Sequence, residues 1–175
     1  MTKGISVRAA ALDDLPTVVE MRLALLREYG HQELYRDLRP DAARRAYDLY
    51  RAQLESRFET IFLAERDTHA VGILRCVETP GSPLLLPDRY CYMSSVYVRP
   101  AERRRGVLRL LLDAAESWCT DRGLTEIRLH NSAGADVAAR AWSDLGFEVV
   151  EEVRRRVIGS GRAAPAAAGA PANAY

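Results

Sequence analysis

At 175 residues the chain suits one domain, and its 48% hydrophobic content supplies enough apolar surface for a sizeable core. Twenty-five basic and 24 acidic residues leave a formal charge of +1, so the overall balance argues against DNA, other nucleic acid or an anionic membrane surface as partner. Three cysteines, Cys76, Cys91 and Cys119, in no C-x-x-C spacing argue against a disulfide framework and a structural zinc site and predict a reducing compartment, the cytoplasm.

Residues 1–10 contain neither a charged segment leading into an apolar one nor a run near membrane-span length, so the expectation is an unexported protein outside the membrane. Ile5 to Ala10 alternates as a short first strand, and Asp13 or Asp14 then offers an N-cap ahead of Pro16. Leu15, Val18, Val19, Leu25, Leu26 and Tyr29 recur at helical spacing up to Gly30. After a polar link ending at Pro40, Asp41 is placed to cap a second helix carrying Ala46, Tyr47, Leu49, Tyr50, Leu54 and Phe58. Thr60 to Glu65 and Ala70 to Glu78 are β-rich runs split by the turn Arg66-Asp67-Thr68-His69.

Thr79 to Arg89 is a proline-rich loop, and Tyr90 to Val98 returns as a strand. Gly106 to Arg122 reads as a helix on Val107, Leu110, Leu111, Ala114, Ala115 and Trp118, closed by Gly123, with a strand from Leu124 to Asn131 after it. That strand-helix-strand order predicts a parallel pair. A fourth helix on Val137, Ala138, Ala141, Trp142 and Leu145 ends at Gly146, and Phe147 to Ile158 is expected to close the sheet. The domain is thus expected over 1–158, with an Ala, Pro and Gly tail over 159–175 too poor in apolar surface to order itself.

The chemistry concentrates where the Tyr90 to Val98 strand turns through Arg99-Pro100-Ala101-Glu102-Arg103-Arg104-Arg105-Gly106 into the helix beginning Val107-Leu108-Arg109. The first turn of a helix presents unpaired N–H groups and a positive dipole end, and a glycine there lets a ligand approach the backbone. Pyrophosphate suits such a cradle, with arginines adding charge-assisted bonds. A solvated basic turn is the competing reading, since Lys3 is the only lysine and arginine is abundant throughout.

Val96-Tyr97-Val98, Pro100 and Arg103-Arg104-Arg105-Gly106, followed later by Ala138, Trp142 and Gly146-Phe147, resemble the signatures of the GNAT superfamily of N-acetyltransferases, over most of residues 5–158. The resemblance implies an α/β (α+β) fold with a central mixed, mostly antiparallel sheet containing a splayed parallel pair, flanked by about four helices. It implies acetyl coenzyme A as co-substrate without a metal, the backbone of Val96, Tyr97 and Val98 pairing with the pantetheine arm, and N–H groups from Arg103 through Val107 and Leu108 to Arg109 holding the pyrophosphate.

Three positions depart from the family pattern. Leu108 replaces a usual Gly or Ala, Ala135 replaces an Asn that touches pantetheine, and Trp142 replaces the tyrosine that protonates the departing thiolate. Asn131 is the substitute for the second, and an indole N–H is no acid at neutral pH, so the third leaves the acid unassigned.

Amine acetylation needs a proton acceptor for the nucleophile and a donor for the oxyanion and thiolate. Ser94 and Ser95 stand where many family members carry Glu or Asp, and a serine can hold a water in that place. His130 has the right chemistry for a base, against a structural role for a strand histidine. Tyr92 shares a face with Ser94 and is either a replacement acid or a packed sheet aromatic. Strict alternation leaves Tyr90, Tyr92 and Tyr97 off a single stripe. Glu28, Glu33 and Asp37 flank the link between the first two helices and either attract a cationic amine or form a solvated acidic loop. The expected activity is acetyl transfer to a primary amine of a small acceptor by direct attack. The rivals are a non-enzymatic acyl coenzyme A sensor and acyl transfer to a protein N-terminus or charged RNA. A homodimer is compatible with all of them.

Overall fold

The computed structural model describes residues 4–158, so the expected tail over 159–175 lies outside the described residues. Strand β1 (Ile5–Ala9) leads through a 3-10 turn (Leu12–Asp14) into α1 (Leu15–Glu28), and α2 (Ala42–Leu54) follows a link that opens with a second 3-10 turn, Tyr29–His31. Strands β2 (Glu59–Arg66), β3 (His69–Pro80) and β4 (Arg89–Val98) come next, then α3 (Val107–Asp121), β5 (Ile127–Leu129) and α4 (Asp136–Asp144). The sheet order is β1-β2-β3-β4-β5, antiparallel except for the parallel β4–β5 pair.

The chain divides into two compact units, one through Asp136 and one from Val137 onward. In the first, α1 and α2 cover one face of the sheet. Leu15, Val18, Val19, Met21, Leu23, Ala46 and Tyr50 pack in one buried cluster with Ile61, Leu63, Ile73 and Tyr97. Side chains alternate along a strand, so Gly72 points to the opposite face from Ile73. A Cβ there would stand 2.9 Å from Val107 and 3.0 Å from Leu111, so this glycine is what lets α3 lie close on β3. The far end of α3 is fixed by two bonds past its last turn, Gly123 N–H to the Thr120 carbonyl at 3.1 Å and Leu124 N–H to the Cys119 carbonyl at 2.9 Å, with Leu124 and Cys119 both buried.

The second unit carries the same closing device. Gly146 N–H donates to the Ser143 carbonyl and Phe147 N–H to the Trp142 carbonyl, each at 3.0 Å, while the Trp142 and Phe147 rings meet edge-on at 5.4 Å. The Trp142 and Gly146-Phe147 signature therefore reads physically as a helix stop with its hydrophobic contact.

Several sequence expectations need correction. The turn between β2 and β3 is two residues, Asp67 and Thr68, both at positive φ (48° and 68°), the conformation that matches the twist of a tight hairpin. Neither helix takes the expected aspartate cap. Asp14 accepts Ala11 N–H and two bonds from Arg8, and the Arg8 hydrogen bond holds its carboxyl below the ordinary range. Asp41 instead draws in Arg39, Arg44 and Arg45. Phe58 lies beyond the end of α2 and is exposed. Phe147 to Ile158 is not a strand: no ladder among the described residues includes it, and 148–158 are all exposed. Adjacent Val149 and Val150, followed by Arg154-Arg155-Arg156, leave it without one continuous apolar face.

Candidate active site

The site begins with an irregularity in β4. Its register with β3 passes from Arg75↔Ser94 to Ile73↔Tyr97, so Leu74 alone opposes Ser95 and Val96. Ser95 absorbs the extra residue at φ 54°, a conformation costly for a side chain with a Cβ, and buries its hydroxyl 3.2 Å from the Tyr50 hydroxyl of α2. The bulge changes which way the strand faces. Arg75 donates to Ser94 Oγ at 3.1 Å, placing Ser94 on the α1/α2 side; Ser95 and then Tyr97, opposite Ile73, join it there. Strict alternation would have sent Tyr97 to the α3 face.

The same bulge ends the parallel pairing. The β4–β5 ladder covers Cys91↔Ile127, Tyr92↔Arg128 and Met93↔Leu129 and stops, so β5 is three residues where sequence suggested Leu124 to Asn131. Beyond Met93, the strand resumes pairing with β3 at Tyr97 and Val98, and among the described residues no strand pairs with Val96, Tyr97 or Val98 on the other edge. Such an edge offers backbone groups to an extended polar ligand.

At the end of that edge lies the cradle. After a 3-10 turn over Pro100–Glu102, Arg104 (φ 59°) and Gly106 (φ 82°) both adopt left-handed conformations before α3 begins at Val107. Alternating left-handed residues turn successive N–H groups toward one concavity, an anion-binding geometry. Leu110 is the first residue of the helix start whose N–H finds a carbonyl, that of Gly106 at 3.2 Å. The N–H groups of Val107, Leu108 and Arg109 therefore face outward at the positive end of the helix.

The four arginines divide by partner. Arg103 is engaged away from the cradle: Nε donates to the Val98 carbonyl at 3.0 Å, Nη2 reaches both Glu28 carboxylate oxygens at 2.6 and 2.7 Å, and the guanidinium stands 5.9 Å from the Tyr97 ring centre. Its N–H is also bonded, to Pro100. Arg103 thus ties the last residue of α1 to β4 and occupies one of the two Val98 groups expected to meet pantetheine. Arg105 lies 3.6 Å from Glu102. Arg104 and Arg109 are exposed and have no side-chain partner among the described residues.

The candidate catalytic residues fall into two groups. Tyr92 and His130 come together across the β4–β5 pair, hydroxyl to Nδ1 at 2.8 Å with ring centres 5.4 Å apart. Burial raises the Tyr92 phenol above its ordinary pKa. Ser94 sits two residues on along the same face, held by Arg75, whose guanidinium is fixed by Glu59 at 2.5 and 2.8 Å. Asn131 stands apart: it is exposed, and its amide donates to the neighbouring Ser132 carbonyl at 3.3 Å. Of the acidic residues near the α1–α2 link, Glu28 is neutralised by Arg103, and the link itself is aromatic, with Tyr29 stacked on His31 and edge-on to Tyr35 at 5.8 Å.

Sequence reasoning missed Arg75, Glu59, Tyr50 and the bulge. Arg75 opposite a β4 serine could have been found by laying the two predicted strands in register, but no residue type signals the φ of Ser95. Among the described residues no group of three or more His, Cys, Asp and Glu is placed to hold a metal ion, and no helix is long and apolar enough to cross a membrane.

Comparison with known proteins agrees with this fold. Solved structures with the same fold include a protein of Clostridium acetobutylicum described as a predicted acetyltransferase and crystallised with acetyl-CoA (17% identity, 87% of this chain and 96% of that one, TM-score 0.72). Another is an aminoglycoside 6'-N-acetyltransferase of Acinetobacter haemolyticus (20% identity, 87% and 97%, TM-score 0.70). At these identities the likeness concerns the fold alone. In sequence, the chain is 31% identical over 62 residues to aminoglycoside N(6')-acetyltransferase type 1 of Salmonella typhimurium, covering 35% of this chain and 43% of that protein. It is 30% identical over 88 residues to the Klebsiella aerogenes protein of the same name, covering 50% and 58%. The chain spans about half the length of the curated relatives it matches. The model of the acetyltransferase (GNAT) family matches residues 24–147, the span that holds the bulge, the open strand edge and the cradle, and the chain belongs to that family.

Proposed function

We propose that this protein transfers the acetyl group of acetyl coenzyme A to a primary amine of a small cationic acceptor, by direct attack while both substrates are bound. The observation that carries the reading is the continuity of the open β4 edge with the left-handed turn at Arg104 and Gly106. An extended amide-bearing arm on the first and a pyrophosphate on the second describe the coenzyme in order. Val96, Tyr97 and the Val98 N–H take the pantetheine. The N–H groups of Arg104 to Arg109 take the pyrophosphate, with the unpaired guanidiniums of Arg104 and Arg109 as its cationic partners. Asn131, past the end of β5, is assigned to the pantetheine side.

Direct attack is favoured over an acetyl-cysteine intermediate by the state of the thiols. Cys76, Cys91 and Cys119 are all buried and free. A hydrogen bond with Cys119 pulls the Cys91 thiol down, but its bond with Cys76 and burial outweigh this, leaving it up at about 12. The bond with Cys91, and burial, push the Cys119 thiol up as well. Protonated, inaccessible thiols are poor nucleophiles. The likeness to aminoglycoside acetyltransferases supports a polyamine acceptor, and free thiols suit a cytoplasmic protein.

The test is thiol release from acetyl coenzyme A over a panel of primary amines that includes aminoglycosides, alongside calorimetric titration of the coenzyme. Turnover with an amine supports the reading; coenzyme binding without turnover supports a sensor instead.

A further inference from the structure

We infer that Tyr92 and His130 form one proton relay that runs from the attacking nitrogen to the departing sulfur. This rests on the acetyltransferase reading above and supplies the acid that Trp142 cannot.

The pair stands where the β4–β5 ladder is about to end. Tyr92 is opposite Arg128 in register, Met93↔Leu129 is the last paired position, and His130 follows directly. Tyr92 shares the α1/α2 face with Ser94, and the 2.8 Å bond from its hydroxyl to Nδ1 brings His130 to that face. A reacting group entering between the splayed strands from this side reaches Ser94 and then this pair. His130 is exposed and Tyr92 half-buried, so one end of the pair exchanges protons with solvent while the other is sheltered.

The surroundings favour a neutral phenol beside His130. Tyr92 is approached by Tyr35 from the α1–α2 link, Arg22 from α1, Arg75 from β3 and Tyr90 along its own strand. Arg75 is neutralised by Glu59, and Arg128 of β5, opposite Tyr92 in register, lies over the Tyr90 ring at 4.1 Å and pairs with Glu126 at 2.5 Å.

The step balances within the pair. The acceptor ammonium first loses one proton to solvent. His130 begins neutral with its proton on Nδ1, directed at the Tyr92 oxygen. As the amine nitrogen bonds to the acetyl carbon, Nε2 takes the second nitrogen proton through water. When the carbon–sulfur bond breaks, Tyr92 gives its phenolic proton to the thiolate and receives the Nδ1 proton in exchange. The products are the amide and the free thiol, and His130 is left neutral in its other tautomer. Rotation of the phenol and exchange with solvent restore the starting state.

The experiment compares wild type, Tyr92→Phe, His130→Gln and His130→Ala with acetyl coenzyme A and the panel amine giving fastest thiol release, measuring coenzyme affinity by calorimetry and kcat against pH. Both Tyr92→Phe and His130→Gln should keep coenzyme affinity within about threefold while kcat falls about 10²- to 10⁴-fold, the usual span for lost general acid–base catalysis. The acid-side fall of kcat should persist in Tyr92→Phe and vanish in His130→Gln. Added imidazole should raise kcat of His130→Ala and leave that of Tyr92→Phe unchanged. Binding and turnover with the same kcat and pH profile in the variants would overturn the relay alone. Binding without turnover of any amine by wild type would overturn the acetyltransferase reading in favour of a sensor, and the relay with it. No coenzyme binding by wild type would overturn the acetyltransferase reading and the relay with it.

Discussion

The two halves of β4 differ in partners far more than in composition. From Cys91 to Met93 the strand is held on both edges, by β3 and by β5, and the side chains of Cys91 and Met93 are sealed in the core. Past the bulge at Ser95 and Val96 it regains β3 at Tyr97 and Val98 but not β5, and its open edge leads into the cradle. One left-handed serine separates a structural half from a binding half. The lesson is that this site arises where regular pairing stops, so its cause is a backbone conformation rather than a reactive residue type.

The largest effect that could break this comparison is at Gly106, whose φ of 82° and place in the cradle combine two requirements. Gly106→Glu should abolish measurable acetyl coenzyme A binding and also lower stability by about 1–2 kcal/mol, the cost of forcing a Cβ into a left-handed residue. Calorimetry and denaturant titration would read the two losses separately. Next is the divide itself. Ser95→Val places a β-branched side chain at φ 54° and strands the buried Tyr50 hydroxyl, so it should cost about 1–3 kcal/mol in denaturant unfolding. Ser95→Gly relieves the angle while losing the same bond and should fall well short of that cost. Equal destabilisation by the two would show that the angle is not what the bulge depends on.

How far the sequence revealed this follows from the physics of each part. Helices and strands were legible because their apolar residues repeat at 3.6 and 2 residues, and the Gly106 turn was legible because a basic strand-to-helix junction has a distinctive composition. The bulge was not, because Ser94-Ser95 reads as two ordinary strand residues and only pairing with β3 reveals the extra one. That omission placed Tyr97 on the wrong face and carried β5 past Leu129 to Asn131. The arginine run was equally opaque. Arg103, Arg104 and Arg105 are identical in type, and only the distant Glu28 and nearby Glu102 decide which guanidiniums remain available.

That division gives the smaller effects. Arg104→Ala and Arg109→Ala should each weaken acetyl coenzyme A binding about tenfold, as for one charge-assisted contact of roughly 1–1.5 kcal/mol. Arg103→Ala should weaken it less than threefold. Its Glu28 ion pair is part-exposed, so the cost to stability should also be small, about 0.2–1 kcal/mol. Isothermal titration of the three variants would show the order, and a larger loss at Arg103 than at Arg104 would reverse the assignment.

The most direct measurement uses Leu108→Glu, which puts a carboxylate on an ordinary helical residue in the first turn of α3, where the dipole favours negative charge and no left-handed angle is disturbed. Helix and fold should survive, as circular dichroism and thermal unfolding would verify, while the new charge repels a pyrophosphate from the N–H groups of Val107 to Arg109. Calorimetric titration of acetyl coenzyme A should then give one site per wild-type chain and no detectable heat with the folded variant; unchanged affinity in folded Leu108→Glu protein would contradict the placing of the coenzyme at the open half of β4 and the start of α3.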